Sequence, residues 1–215
     1  MTVRILIADD HDLVRHGFRM ILDAQPDMRV VGEAADGEAA VAAARRLRPD
    51  VVLADIRMPG LDGIAVLKRL HGPAEPDPPR VVVVTTFDDD EYVRAALDAG
   101  ASGFVLKRSG PTLLVEAVRA AVAGDTLISP SLTVRLLSGF AAPEPAPEAG
   151  PRLSERERQV VVLVAEGKSN AEIAAELFIS PGTVKTHLSN AQRKTGARNR
   201  VGMAAWAWRT GLAVP

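Results

Sequence analysis

Five polar groups stand just past short apolar runs: Asp9 and Asp10 after Val3 to Ala8, Asp55 after Val51 to Ala54, Thr85 after Val81 to Val84, and Lys107 after Gly103 to Leu106. Continuous β-branched runs of this length read as strands buried on both faces of a parallel sheet. Right-handed crossovers put the carboxyl ends of such strands on one rim, which is where ligands and chemistry gather. Three carboxylates brought together there repel one another unless a cation sits among them. Hard oxygen donors in a partly hydrated site suit Mg²⁺ better than a softer metal. Mg²⁺ with a carboxylate, a hydroxyl and an ammonium is the equipment for moving a phosphoryl group. Asp55 is then the nucleophile, forming an aspartyl phosphate. Thr85 and Lys107 bind the oxygens of the new phosphate, and Asp9 and Asp10 hold the metal. A phosphatase with an Asp nucleophile wants a second carboxylate two residues on as general acid, and that position is Arg57. A Walker loop is also missing. The reading is a phosphate acceptor with at most slow self-dephosphorylation, not a turnover enzyme.

The elements that must hold these groups alternate. Asp12 to Ala24 has Leu13, Phe18, Ile21 and Leu22 near helical spacing, with Asp10 or Asp12 available as a cap. Val30-Val31 centres a strand, and Gly37 to Leu47 is an Ala-rich helix stopped by Pro49. Helices are also expected over Ile64 to Leu70, Asp89 to Ala99 and Leu113 to Val122, the last with Pro111 in its first turn and Gly124 beyond its end. Strands alternating with helices at this spacing predict an α/β fold, a doubly wound (βα)5 parallel sheet, over residues 1–125. Residues 126–151 are expected to hold a short helix from Ser129-Pro130 to Phe140 and then a semi-rigid Pro/Ala/Glu-rich linker.

The charge balance changes sign at that linker. The net charge of −1 divides into −6 for residues 1–150 (16 Lys+Arg, 22 Asp+Glu) and +5 for residues 151–215 (10 and 5). An acidic part joined to a basic one suggests that the second meets nucleic acid. The sequence contains no cysteine, which excludes disulfides and thiolate chemistry. No apolar run approaches the roughly 20 residues of a membrane span, and no signal peptide precedes the first strand. A cytoplasmic protein with no membrane partner is expected.

Residues 152–215 predict a small all-α domain of four helices. Ser154 and Glu157 form a capping box, which tips the β-branched run Val160-Val161-Val162 toward helix. Asn170 to Phe178 makes a second helix, and Pro181 to about Thr195 a third, with Ser180 as its cap. On the third, Val184, Leu188, Ala191 and Thr195 share one face. Lys185, Thr186, Ser189 and Arg193 fall on the other, free for a DNA major groove. Arg193, Lys194, Arg198 and Arg200 are placed to meet phosphate. Val201 to Arg209 is the fourth helix. Its apolar stripe makes Trp208 core and leaves Trp206 as a dimer contact or an ordinary exposed aromatic.

Asp9-Asp10, Asp55-Ile56-Arg57-Met58-Pro59 with Asp62-Gly63, Thr85, and Gly103-Phe104-Val105-Leu106-Lys107 resemble the signature of a bacterial response-regulator receiver domain. Leu153 to Glu157, Ser169 to Ala174, and Ser180 with Thr183-Val184-Lys185-Thr186-His187 resemble the LuxR-type helix-turn-helix. Together they resemble the NarL/FixJ type of response regulator. That resemblance implies phosphoryl transfer from a sensor histidine kinase to Asp55, with Mg²⁺ held by Asp10, Asp55 and the Arg57 backbone carbonyl and by Asp9 through water. It implies that Thr85 and Phe104 are a switch pair, in which Phe104 rotates into space that Thr85 vacates. It also implies promoter DNA read by Lys185, Thr186 and Ser189, and a homodimer, formed on phosphorylation or DNA binding, with the fourth helix as its contact. One alternative is a phosphorylation-independent transcription factor whose receiver-like domain binds protein or ligand. Lys107-Arg108 replaces the Lys-Pro of many receivers, and Ala191, Gln192 and Thr195 replace large aliphatic residues.

Overall fold

The computed structural model describes residues 2–72, 78–86, 90–129 and 153–213. In the first part, strands and helices alternate: β1 (Val3–Ala8), α1 (Asp12–Asp23), β2 (Met28–Ala34), α2 (Gly37–Leu47), β3 (Val51–Ala54), α3 (Gly63–Leu70), β4 (Arg80–Thr85), α4 (Asp90–Ala99), β5 (Gly103–Leu106), α5 (Pro111–Ala123) and β6 (Leu127–Ile128). The strands form one parallel sheet in the order β2-β1-β3-β4-β5-β6. Period-2 alternation divides their side chains between two cores. Leu6, Ala8, Val52, Ala54, Val81, Val83 and Phe104 face α2, α3 and α4. Ile5, Ile7, Val51, Leu53, Val82, Val84 and Val105 face α1 and α5. Burial of both faces explains why these strands read as unbroken apolar runs.

Two expectations change here. The sheet has a sixth strand, β6, whose two residues are too short to show as a periodic run. Also, α1 starts at His11 with no side-chain cap, and Leu13 is 89% exposed, because the helix turns Leu22, Phe18 and Ile21 inward instead. The expected helix from Ser129 to Phe140 lies outside the described residues apart from Ser129 itself, as does nearly all of the linker.

The second part consists of α6 (Glu155–Ala165), α7 (Asn170–Leu177), α8 (Pro181–Thr195) and α9 (Arg200–Arg209). Val160, Val161, Leu163 and Val164 are all buried within α6. Tertiary packing outweighs the modest helix propensity of the β-branched residues. The capping box of Ser154 and Glu157 is present, and Ser169 with Glu172 makes a second one that the sequence reading missed. The tryptophans are reversed from expectation. Trp208 is 57% exposed, its indole N–H donating to Ala165 O at 3.3 Å, whereas Trp206 packs on the helical core beside the buried Met203 and Ala207. A single amphipathic stripe was the wrong template for α9, since the helix has two packed sides. Val201 packs into the core of the sheet domain instead.

Candidate functional site

Asp55 follows β3, and the chain turns at once into α3. That turn is tight: a Cβ at Gly63 would come within 2.2 Å of the Asp55 carbonyl oxygen, so only glycine lets α3 begin against the backbone of Asp55. Asp62 caps α3, its carboxylate accepting from Ala65 N at 2.7 Å.

Asp9, Asp55 and Thr85 are buried at the carboxyl rim, and Lys107 comes in from the end of β5. Lys107 Nζ lies 2.8 Å from Asp55 Oδ2, which it hydrogen-bonds, and 2.5 Å from Asp9 Oδ2. Asp9 Oδ2 is thus ion-paired with Lys107, whereas Asp55 Oδ1 is buried without a hydrogen-bond partner. Burial raises the pKa of Asp55, and Lys107 opposes that shift. For Lys107 burial works downward, but the hydrogen bonds and charges of Asp55 and Asp9 outweigh it and raise the ammonium pKa. Asp10 stands at the surface, with Asp9, Asp10 and His11 offering ligand atoms within 4.8 Å of one another. Asp10 and Arg57 also line one cleft of about 340 Å³, together with Met58, Pro59 and Tyr92. The unpartnered Asp55 oxygen and the nearby Asp9 and Asp10 carboxylates, next to a cleft open to solvent, fit a hard hydrated cation such as Mg²⁺. His11 escaped the sequence reading. Its Nδ1 lies 2.6 Å from Asp10 Oδ1, which holds that carboxylate at the mouth of the cleft.

Phe104 is fully buried among the residues facing α4.

The residues read as DNA contacts separate into two groups. Thr186, Ser189 and Arg193 lie on the exposed side of α8, Thr186 bonding back to Gly182 O and Arg193 to Asn190. Lys185 shares that side, but its Nζ donates to Val122 O at the end of α5, 3.0 Å away. Three expected phosphate contacts, Lys194, Arg198 and Arg200, are used elsewhere. Lys194 Nζ lies 2.6 Å from Glu157 Oε2, closing α8 onto the start of α6. Arg200 is largely buried between the two parts of the chain, 3.2 Å from Asp125 and 2.9 Å from Asn170 Oδ1.

Arg200 belongs to a junction that sequence reading does not reveal. Asn170 Nδ2 donates to Ala123 O at 2.9 Å, and Arg198 reaches Asp98 O at 3.4 Å. Asn199 is buried there: Nδ2 donates to Leu97 O at 2.7 Å and to Ala101 O at 3.1 Å, while Oδ1 caps α9 by accepting from Gly202 N. The closed arrangement turns Lys185 toward the sheet domain and sets α9 against α4.

His71 sits at the edge of this junction. Its Nε2 lies 3.0 Å from Pro79 O, and a Cβ at Gly100 would approach both its Nδ1 and Arg198 within 3.3 Å. Burial, helped by the charges of Arg80 and Arg198, lowers its pKa below 6.5. The solvated state therefore binds more protons just below pH 6.5, and the folded junction loses stability as the pH falls through that window. The thermal midpoint is expected to drop between about pH 7.5 and about pH 6, with a smaller drop in His71→Gln. Equal drops in both proteins would remove His71 as the cause.

Comparison with known proteins agrees with this architecture. A family described as the response regulator receiver domain matches residues 5–119, and one described as bacterial regulatory proteins, luxR family, matches residues 151–207. The transcriptional regulatory protein LiaR of Bacillus subtilis is 39% identical over 210 residues, covering 98% of this chain and 99% of its own. The response regulator protein VraR of Staphylococcus aureus is 35% identical over 214 residues, with 99% of each covered. Among solved structures, the response regulator ChrA of a heme-sensing two-component system matches with a TM-score of 0.54 at 37% identity, covering 98% of both chains. A complex of the two-component response regulator RcsB with DNA matches at 0.57 and 30% identity, covering 97% of this chain and 99% of that one. A parallel sheet with an acidic rim, followed by a LuxR-type helix-turn-helix and matched along its whole length by such relatives, makes this chain a member of the response regulators of two-component systems.

Proposed function

We propose that the chain is a phosphorylation-controlled transcription factor in which Asp55 accepts a phosphoryl group from the phosphohistidine of a sensor histidine kinase and so controls DNA binding by α8. The observation that carries this reading is the pairing at Asp55: one carboxylate oxygen is held by Lys107 and the other is buried without a partner. The free oxygen attacks phosphorus, the P–N bond breaks, and the electron pair returns to the imidazole, which takes a proton from solvent. Lys107 and the Thr85 hydroxyl then bind phosphoryl oxygens. Asp10, Asp55 and the Arg57 carbonyl, with Asp9 through water, would hold Mg²⁺, which supplies charge neutralisation as phosphorus moves. Return of the phosphoryl group to water is slow hydrolysis of the acyl phosphate. The protein works in the cytoplasm.

The output is opening of the junction. Thr85 and the buried Phe104 are read as the switch pair that reports phosphate to α4, the helix on which α9 rests. Parting of the domains frees Lys185 to join Thr186 and Ser189 at base edges, with Arg193 at phosphate. It also uncovers α9, the expected contact of a homodimer, so that dimerisation and DNA binding are released together. Incubation of the full chain with acetyl phosphate and Mg²⁺ is expected to label the wild type and leave Asp55→Asn unlabelled. A wild type that takes no label would sink the reading.

A further inference from the structure

The closed arrangement forms a solvent-open cavity of about 770 Å³ on the rim of the sheet opposite Asp55, between the amino ends of the strands and α8. That volume lies within the range of small-molecule sites. Its lining is strongly cationic: Arg45, Arg48 and Arg80 come from the sheet domain, Lys185 and Arg200 from the helical domain, and among the described residues Asp50 is the one carboxylate in the lining. Asp50 is held in place by Arg4 N, from which it accepts at 2.8 Å, and it keeps its single negative charge. Arg48 and Arg80 meet no carboxylate among the described residues, and the partner of Lys185 is the neutral Val122 carbonyl. Arg200 Nη2 is buried with no hydrogen-bond partner at all, although its Nη1 is paired. Arg48 and Arg80 from one domain and Lys185 from the other thus face one cavity without a carboxylate partner among the described residues. Like charges gathered around one cleft repel, and an anion of several charges placed there converts the repulsion into attraction across the junction.

We propose that this cavity binds a small polyphosphate anion, inorganic or nucleoside-borne, and that the anion holds the two domains closed. Phosphate is the chemistry that the lining recognises. Guanidinium groups bind phosphate oxygens through paired N–H donors, and Lys185 adds a point charge. Ser189 and Gln192 of α8 complete the helical wall. Lys185 and Ser189 are the residues assigned to DNA bases, so the anion and DNA compete for the same helix face, an inference that rests on that assignment. Reciprocity requires the anion to weaken DNA binding by the factor by which DNA weakens anion binding.

The test uses the full-length chain, titrated calorimetrically with sodium tripolyphosphate and separately with ATP. Wild type is expected to bind one equivalent of anion, and the double variant Arg48→Ala/Arg80→Ala at least tenfold more weakly. Neither arginine belongs to the DNA face or the Asp55 site, so the variant keeps acetyl-phosphate labelling, which reports its folding. Tighter binding of ATP than of tripolyphosphate identifies a nucleotide ligand, and equal binding identifies phosphate alone; both support the site. Absence of binding to wild type, or equal binding by wild type and variant, overturns the proposal. Calorimetry contains no DNA and so reads the cavity by itself. In a separate arm, tripolyphosphate is expected to lower affinity for a random-sequence DNA duplex at least threefold more in wild type than in the variant. Failure of that arm with intact anion binding leaves the cavity as an anion site but overturns the claim that the anion holds the domains closed over the DNA face.

Discussion

Asn199→Asp is expected to open the unphosphorylated chain, raising its affinity for a DNA duplex at least tenfold while both domains stay folded. The two polar atoms of Asn199 perform separate tasks. Oδ1 caps α9 through Gly202 N, and Nδ2 donates to Leu97 O and Ala101 O across the junction. Aspartate keeps the capping oxygen, being as good a cap as asparagine, but has no N–H. Its ionised carboxylate would instead face two carbonyl oxygens in a site where Asn199 is 5% exposed. Loss of buried hydrogen bonds to neutral groups costs about 1–3 kcal/mol, and more when a charge is left uncompensated. At about 1.4 kcal/mol per factor of ten, the closed state loses one to two orders of magnitude in population. The check is duplex affinity of wild type and variant without acetyl phosphate, with a thermal melt showing two retained domains. Unchanged affinity would mean that the junction does not restrain DNA binding.

Lys107→Met is expected to slow acetyl-phosphate labelling of Asp55 by about 100-fold at fixed Mg²⁺, the order found when one preorganised charge-stabilising donor is removed. It is also expected to destabilise the receiver. Asp9 and Asp55 have side chains 2% and 7% exposed and share this one ammonium. Removing a cation from a buried cluster leaves uncompensated charge, at a cost of about 3–5 kcal/mol. The Asp55 pKa, already raised by burial, should rise further once its opposing partner is gone. Mg²⁺ should restore part of the lost stability, because it places positive charge among the same oxygens. Urea unfolding with and without Mg²⁺ separates the two effects. Wild-type labelling rates in the variant would show that Lys107 is only a neutral strand end.

Sequence carried the sheet and the rim well, for a definite physical reason. A strand buried on both faces must be apolar throughout, so Val51 to Ala54 and Val81 to Val84 stand out, and the polar residue that ends each run is visible at once. Asp9, Asp55, Thr85 and Lys107 were legible for that reason. Elements with mixed surroundings were not. α9 packs Met203 and Ala207 on one domain and Val201 on the other, so no single stripe describes it, and Trp206 and Trp208 were exchanged. Lys194 and Arg200 look like solvated cations in sequence, because their partners Glu157 and Asp125 lie 37 and 75 residues away. Asn199 carries no signal in the sequence, since the carbonyls it ties belong to α4 and the loop after it.

Ser129 gives the junction its economy of contacts. Its N–H donates to Phe104 O and its hydroxyl accepts from Leu106 N, so the chain leaves the receiver fastened to β5. Residues 130–152 then lead to Leu153, and by chain length alone they span at most about 80 Å. After the domains part, each therefore remains at an effective concentration on the order of millimolar near the other. At that concentration, domains that would bind each other as separate molecules with a Kd of only about 10 μM are closed about 99% of the time. On the proposed reading, a junction of several hydrogen bonds, the Arg200–Asp125 ion pair and the Val201 contact would be strong enough to silence the chain and weak enough for one phosphoryl group to open it.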